Sequence, residues 1–521
     1  MRTALRRSRT THSARSQSAS FPSPIGGWNA RDALAAMPQT DAVELENWFP
    51  GTSFCEMRGG YTSHATGMDF IAKTLMVYNG LNGTNSMWAI TINSVYNVTS
   101  AGVVGSPVAA RTNAKHQWIQ FGDGTSNWLI AVNGVDKPLY YNGTTWTAVD
   151  AVSTPALTGL TTTSIISVFA SKGRLFFIEK DSLSFWYLAA GASGGALTEF
   201  DLSSIAKMGG NLVAGATWTV DGGDGPDDRV VFVTSKGEVI VYQGTNPSSA
   251  ADWALVGVYS LGEPLGRRCV TRFGGDMIVL TQNGAFPLSA AIQSSTINYE
   301  TALSFKIQNA FTDAARLYKD NFGWTSIVYP DQSALIVNIP IAEGGEHEQY
   351  VMNTITKAWC KFTEWDAEDF VIFNSELYFI TSTKVVQAWS GHIDGTDNIT
   401  AYGKQAFGYF NSPGTLKKFV LYRPVISANG AITLATDLDI DFQSQEFTGT
   451  SSVSGTVGGV WDVDLWDDES LWASGQEIIK QWSSPAEWQG YAASVKIRAA
   501  TSTLTIQWMA NDIVWERGGI V

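Results

Sequence analysis

The sequence predicts an all-β protein: a β-propeller of six to eight blades over residues 68–395, a β-sandwich-like domain over 396–521, and a short irregular N-terminal platform. Three observations predict it. Charged residues make up only 16% of the 521-residue chain, with little of the Lys and Glu that dress exposed helices. Turn formers and aromatics are abundant instead, with 50 Gly, 20 Trp, 25 Phe and 17 Tyr. And a strand–turn–strand unit recurs along most of the chain at the spacing of propeller blades.

Residues 1–20 hold five Arg (Arg2, Arg6, Arg7, Arg9 and Arg15) and no acid. They read as a flexible basic arm. No apolar core follows the arginines, so the arm is not a secretory signal. Residues 21–67 form the platform. Within it "ARDALAAMP" reads as a helical turn or two, stopped by Pro38, and "TDAVELENWFP" as another short turn capped by Thr40 or Asp41.

From residue 68, apolar runs such as "RLFFIE", "RVVFVTS" and "ELYFITS" are each followed by a tight turn and a second run ending on an aromatic. With Tyr96, Tyr140, Trp186, Tyr242, Phe286, Trp359 and Trp389 as markers, the steps are 44, 46, 56, 44, 73 and 30 residues. The long step contains a helical insertion near 300–320, where Leu303, Ile307, Ala310, Ala314 and Leu317 fall on one helical face. Beyond 396 the rhythm stops, but "KKFVLYRPVI", "AITLATDLDIDF", "ASVKIRAA" and "TLTIQWMAN" still read as strands. The Ser/Thr/Gly-rich stretch 443–460 reads as a loop.

Little in the chain points to chemistry. His12, His64, His116, His347 and His392 are scattered, without HExxH, and neither GxSxG, GxGxxG nor a Walker loop occurs. Cys55, Cys269 and Cys360 are far apart and read as buried free thiols. Asp437, Asp439 and Asp441 alternate along a strand, placing three carboxylates on one face, which reads as solvated rather than as a calcium cage. Asp462, Asp464, Asp467, Asp468 and Glu469 form a second acidic cluster, which reads as a solvated or channel-facing surface. Neither pattern predicts a metal, and no cofactor is expected. The net charge of −14 argues against a nucleic-acid-gripping surface, though not against a channel that repels phosphate. No run of 18 apolar residues occurs, so no membrane-spanning helix is expected.

The stretch "PSPIGGWNARDALAAMPQTDAVELENWFPGTSFCEMRGGY" carries a Pro-x-Pro-x-Gly-Gly-x-Asn core (Gly26, Gly27, Trp28, Asn29), then Met37-Pro38, Asp41-Ala42, Asn47-Trp48 and Pro50, and ends on Arg58-x-Gly60. With "YFNSPGTLKKFVLYRPVI" and the terminal "MANDIVWERGGIV", this opening resembles the tail nozzle of short-tailed bacteriophages, the podovirus tail tubular protein B or packaged-DNA stabilisation family. The resemblance implies a virion protein of the tail: a propeller with added β-domains and a hexameric ring below the portal adaptor. Such a ring conducts double-stranded DNA non-specifically during genome ejection. It implies docking of tail fibres or tailspikes and closure by a tail needle or plug. It places Gly26, Gly27, Trp28, Asn29, Arg31 and Arg58 as candidates for adaptor docking, and the acidic loop of Asp462, Asp464, Asp467, Asp468 and Glu469 as a candidate for the lumen or tip. Two other readings remain: a carbohydrate-binding receptor-recognition virion protein, and a propeller glycoside hydrolase.

Overall fold

The structure is a computed structural model that describes residues 16–81, 83–219, 228–293, 298–453, 477–478 and 481–518. It divides into two units. One comprises 58–399 with Trp28–Arg31; the other comprises 400–518 with 16–27 and 32–57.

The first unit is a seven-bladed propeller. Blades 1 to 4 are four-stranded antiparallel sheets over 74–110, 117–148, 165–201 and 212–260. Blade 5 has the three strands Val270–Phe273, Asp276–Thr281 and Gly284–Pro287, and blade 6 spans 325–362. Blade 7 takes Phe370–Phe373, Glu376–Thr381 and Lys384–Ala388, and its fourth strand, Tyr61–Thr66, comes from the other end of the chain. The first strand of each blade neighbours the first strand of the next, and that of blade 7 neighbours that of blade 1, so the ring is closed. Closure by a strand from the opposite end of the sequence leaves no open blade at the seam.

The continuous apolar runs have a direct cause. Each blade is covered on both faces by its neighbours, so both faces of a middle strand are buried. Leu75, Met87 and Ala89 of blade 1 pack on Val371 and Tyr378 of blade 7. Met76 and Trp88 pack on Leu129 and Tyr141 of blade 2, and Phe169 and Phe185 of blade 3 on Phe232 and Tyr242 of blade 4. The Phe185 and Phe232 rings stack with centroids 4.4 Å apart. Turn chemistry fits as well: in blade 3, Lys172 (φ 48°) and Gly173 (φ 68°) make the two-residue turn with both φ positive that a twisted hairpin prefers.

Five of the seven aromatic markers lie on third strands. Trp359 instead lies on the fourth strand of blade 6, Trp359–Phe362, and Trp389 just beyond the third strand of blade 7, which accounts for the uneven last steps. The helical insertion is a single turn of 3-10 helix, Phe305–Ile307, followed by the α-helix Gln308–Tyr318. Its buried residues are Phe311, Ala314 and Ala315, packed on blades 5 and 6, whereas Leu317 is 61% exposed. Ile307 and Ala314 are buried and Leu303 and Ala310 pack against the same core, as the sequence pattern expects, whereas Phe311 supplies a further inward residue and Leu317 faces outward.

The second unit is a sandwich of two antiparallel sheets. In one, Ile506–Arg517 lies between Lys417–Ala428 on one side and Gln17–Pro22 and Cys55–Met57 on the other. In the other, the order is Asp41–Glu46, Asp397–Gln405, Ala493–Thr501, Ile432–Ile440, Gly449–Val453. Trp48 and Trp508 meet edge-on at 5.9 Å between the sheets, over Gly403, where a Cβ would stand 2.6 Å from the Trp508 ring.

The N-terminal expectations change accordingly. Residues 17–20, read as part of a flexible arm, begin the strand Gln17–Pro22. The 21–67 segment is divided between the units. "ARDALAAMP" forms turns without helix, and "TDAVELENWFP" forms the strands Asp41–Glu46 and Trp48–Pro50. Ala42 and Leu45 lie on a strand paired with residues about 360 positions away, and Trp48 packs on Gly403 and Trp508, a tertiary effect that overrides the local capping signal. Residues 449–453, read as loop, pair with Ile432–Thr436.

Asp437 and Asp439 share a strand face, as expected, but it is not solvated, and Asp441 lies just past the strand's end at Ile440 with a positive φ of 49°. Asp439 is fully buried, with Lys404 Nζ 2.6 Å from Oδ2 and Lys496 Nζ 2.7 Å from Oδ1. Asp437 accepts the Thr448 amide at 3.0 Å and its hydroxyl at 2.8 Å. Asp441 accepts the amides of Tyr491 and Ala492. The segment 442–448 folds back over the strand, and Phe447 lies against Lys496 and Arg498. Lysines on neighbouring strands make burial of the carboxylates tolerable. The three cysteines are buried and free, and burial pushes the Cys55 and Cys269 thiols up to about 12.

Candidate functional site at the mouth of the propeller

Side chains that precede the first strands of several blades converge at one end of the propeller ring. Arg268, just ahead of blade 5, reaches across it. Its Nη2 donates to the Lys73 carbonyl (3.1 Å), Thr74 Oγ1 (2.8 Å) and the His116 carbonyl (3.0 Å), at the start of blades 1 and 2. Its Nη1 lies 2.8 Å from Asp369 Oδ1, at the start of blade 7, and its guanidinium lies over the Phe322 ring. One arginine thus ties together the first strands of four blades. Asp369 is anchored in turn by the amides of Leu75 (2.8 Å) and Phe370 (3.0 Å). Burial raises its proton affinity and Arg268 opposes that rise.

Beside this latch, Lys73 Nζ donates to Glu368 Oε1 at 2.6 Å. His347 presents Nε2 to Glu368 Oε2 at 3.7 Å, beyond hydrogen-bond distance, while its Nδ1–H donates to the Gly345 carbonyl. Above Lys73 opens a cavity of about 450 Å³, with Phe70, Ile71 and Ile92 on its walls and Lys115 paired with Glu343 among its lining. Thus the site combines fixed charges with an apolar wall, the usual composition of a ligand pocket.

His116 belongs to the same cluster. Asn133 Nδ2 donates to its Nε2 at 3.1 Å, so the ring is the Nδ1–H tautomer. Burial pulls it from 6.5 down to about 3. Below pH 6.5 the unfolded chain binds a proton that the folded protein refuses. This contribution to stability is therefore complete above pH 6.5 and is lost as the pH falls towards 3, by at most about 1.4 kcal/mol per pH unit. His347 is depressed too, by burial, with Glu368 opposing. Urea unfolding at pH 7 and pH 5 checks this: the wild type should lose stability between the two, and His116→Leu should lose less of it. Equal losses would exclude His116 as the source.

The residues expected to dock an adaptor occupy other places. Gly26 and Gly27 lie in the sandwich unit, where a Cβ on Gly26 would meet Asp41 Oδ1 at 2.2 Å. Trp28, Asn29, Arg31 and Arg58 belong to the propeller unit. Trp28 meets Tyr350 edge-on at 5.1 Å, Arg31 lies 4.2 Å over the Phe305 ring, and Asn29 is buried and accepts the Arg31 amide. Arg58 is sealed inside: both Nη atoms hold Asp394, at 2.9 and 2.6 Å, and Nη2 also donates to the Thr363 carbonyl. Its guanidinium therefore serves the interior, not a docking surface. Asp462, Asp464, Asp467, Asp468 and Glu469 lie outside the described residues. Sequence reading missed the mouth cluster. Its signal was the charged pairs Arg267-Arg268 and Glu368-Asp369, set just ahead of the first strands of blades 5 and 7.

No known protein family matches the chain, and no curated protein matches it. Solved structures similar to it include the extracellular domain of the hybrid two component system BT3049 from B. thetaiotaomicron, at 10% identity and TM-score 0.40, over 65% of this chain and 45% of that one. The chain therefore spans less than half the length of that structure. Others are BBS1N, solved in complex with ARL6DN (12%, TM-score 0.41, 65% and 99%), and YCF48 from Cyanidioschyzon merolae (10%, TM-score 0.36, 63% and 98%). The propeller itself is established by strand order and ring closure. Among the described residues no group of His, Cys, Asp and Glu is arranged to hold a metal, and no helix is long and apolar enough to cross a membrane.

Proposed function

We propose that this chain is a non-enzymatic structural subunit of a short bacteriophage tail. In this reading several copies form a nozzle ring below the portal adaptor, in the virion tail. The ring retains packaged DNA, conducts it during ejection and docks fibres or spikes. One observation carries the reading beyond the sequence likeness. The segments that bear the likeness lie at opposite ends of the chain, yet most of their residues fold into one unit. Buried Gln405 binds the Pro22 carbonyl at 2.8 Å and the Gln39 carbonyl at 2.6 Å, and also pairs with Asn511. Trp508 Nε1 donates to Asn511 Oδ1. A motif shared between distant segments is what a common fold requires when its packing joins them.

The propeller supports a structural role in a second way. Arg268 bridges the first strands of blades 1, 2, 5 and 7, so the propeller axis is narrowed by fixed side chains. DNA in this reading runs between copies, along a wall that an acidic chain makes repulsive to phosphate. Electron microscopy of the purified chain mixed with adaptor-bearing, DNA-filled heads tests the proposal. The expected result is a closed ring at the portal vertex and heads that keep their DNA. Heads that bind no ring and leak as before would overturn it, and turnover on a panel of sialosides and polysaccharides would favour the hydrolase instead.

A further inference from the structure

We propose that the cavity at the propeller mouth binds a carboxylate carried on an apolar stem. The protein already holds such a group there. Glu343 lies on the turn between two strands of blade 6 and places its carboxylate directly on Lys115 Nζ at the edge of the cavity. Both side chains are more than a third exposed, at 38% and 39%. An ion pair so exposed is screened by water and worth little, so an incoming carboxylate exchanges with Glu343 at small cost.

The second cation is fixed. Lys73 lines the same cavity, and Glu368, which is 2% exposed, holds its ammonium from the side away from solvent. Access to that ammonium is kept open by Gly344, whose φ of +80° suits glycine. A Cβ at that position would stand 3.4 Å from Lys73 Nζ, and any longer side chain would fill the space above it.

The stem's place is the opposite wall. Phe70 and Ile92 are 49% and 48% exposed while lining the cavity, and Ile71 continues the apolar surface. Burying them under a ligand removes apolar area from water, which favours binding. At about 450 Å³ the cavity takes a fragment with one ring or a short chain. Cations on one side and apolar surface on the other select a carboxylate with a stem over a neutral or cationic analogue of the same shape. Nothing in this site depends on the tail reading.

The probes are 3-phenylpropionate, 3-phenylpropan-1-ol and 3-phenylpropylamine, followed by ligand-observed NMR on the full chain. The propionate should bind with a dissociation constant on the order of millimolar, as a fragment of that size allows, and the amine should not bind. Glu343→Ala should tighten the propionate by about two- to fivefold, the fold-change equivalent to one exposed ion pair. Ile92→Glu should weaken it by at least about tenfold, by placing a like charge on the stem's wall. Both positions are at the surface, so both variants should keep the wild-type unfolding midpoint. A second pair of probes, acetyl-Gly-Gly-Phe with a free C-terminus and its amide, separates the sources. Tighter binding of the free-ended peptide than of the propionate would identify a partner's chain terminus, and the reverse a free metabolite. Equal binding of the alcohol and the propionate, no binding of either carboxylate, or no response to Glu343→Ala would overturn the proposal.

Discussion

Asp439→Ala should destabilise the sandwich unit by about 3–5 kcal/mol, the cost of removing one partner from a buried ionic cluster. Asp439 is the only carboxylate in contact with Lys404 and Lys496 among the ion pairs of the described residues, and the two lysines are 6% and 1% exposed. Without it, two ammonium groups remain in an interior that water does not reach. Lys496 keeps the Gln445 carbonyl, and Lys404 keeps the face of Phe407, 5.3 Å away. The substitution also deprives the Gln445 amide of its acceptor, which loosens the segment folded over the strand. Urea unfolding followed by tryptophan fluorescence reads the effect, since Trp48 and Trp508 are buried in this unit. The triple change Lys404→Met, Asp439→Leu, Lys496→Met should recover most of the loss, because an apolar cluster of similar volume needs no desolvation of charge. A loss below about 1 kcal/mol for Asp439→Ala would show that water reaches the lysines, as at an exposed pair.

The second large effect is at Arg58. Arg58→Met should cost the propeller unit about 3–5 kcal/mol, because Asp394, 4% exposed, is left as an uncompensated carboxylate. Lysine should not rescue it. The guanidinium makes a two-pronged contact with Asp394, a third bond to the Thr363 carbonyl, and a face contact with Trp365 at 5.0 Å, and a single ammonium cannot make all of these. Asp394 is also paired with Tyr61 of the strand that closes the ring, so the loss falls on the seam. Thermal unfolding of the two variants is the measurement. The result separates two roles for this residue. A docking arginine, as the sequence likeness implied, would leave the melting temperature unchanged and abolish attachment to the adaptor. An interior arginine lowers the melting temperature whatever the partner.

Much of the propeller is legible in the amino-acid sequence, because blade stacking leaves a local record. Middle strands covered on both faces must be apolar throughout, and tight turns must follow them, so "RLFFIE" and "RVVFVTS" announce themselves. The helix near 308–318 is visible for the same reason, although its inward face includes Phe311 and not Leu317. The mouth cluster is legible only in part. Charges that precede a strand look alike whether they point to water or to each other, and Arg268 gains its meaning only when blades 1, 2 and 7 are brought to it.

The sequence by itself determined the all-β class, the repeat and the alternation of Asp437 and Asp439, because these follow from periods of two residues and of whole blades within one stretch of chain. Only the tertiary structure decided which strand closes the ring, where residues 16–57 belong, and which faces are dry. Tyr61–Thr66 pairs with Lys384–Ala388 more than 300 residues away, and Gln17–Pro22 with Ile506–Arg517 nearly 500 away. Alternation tells which side chains share a face. Whether that face meets water depends on what folds over it, and the lysines that hold Asp439 and the carboxylate and carbonyl that hold Arg58 come from other parts of the chain.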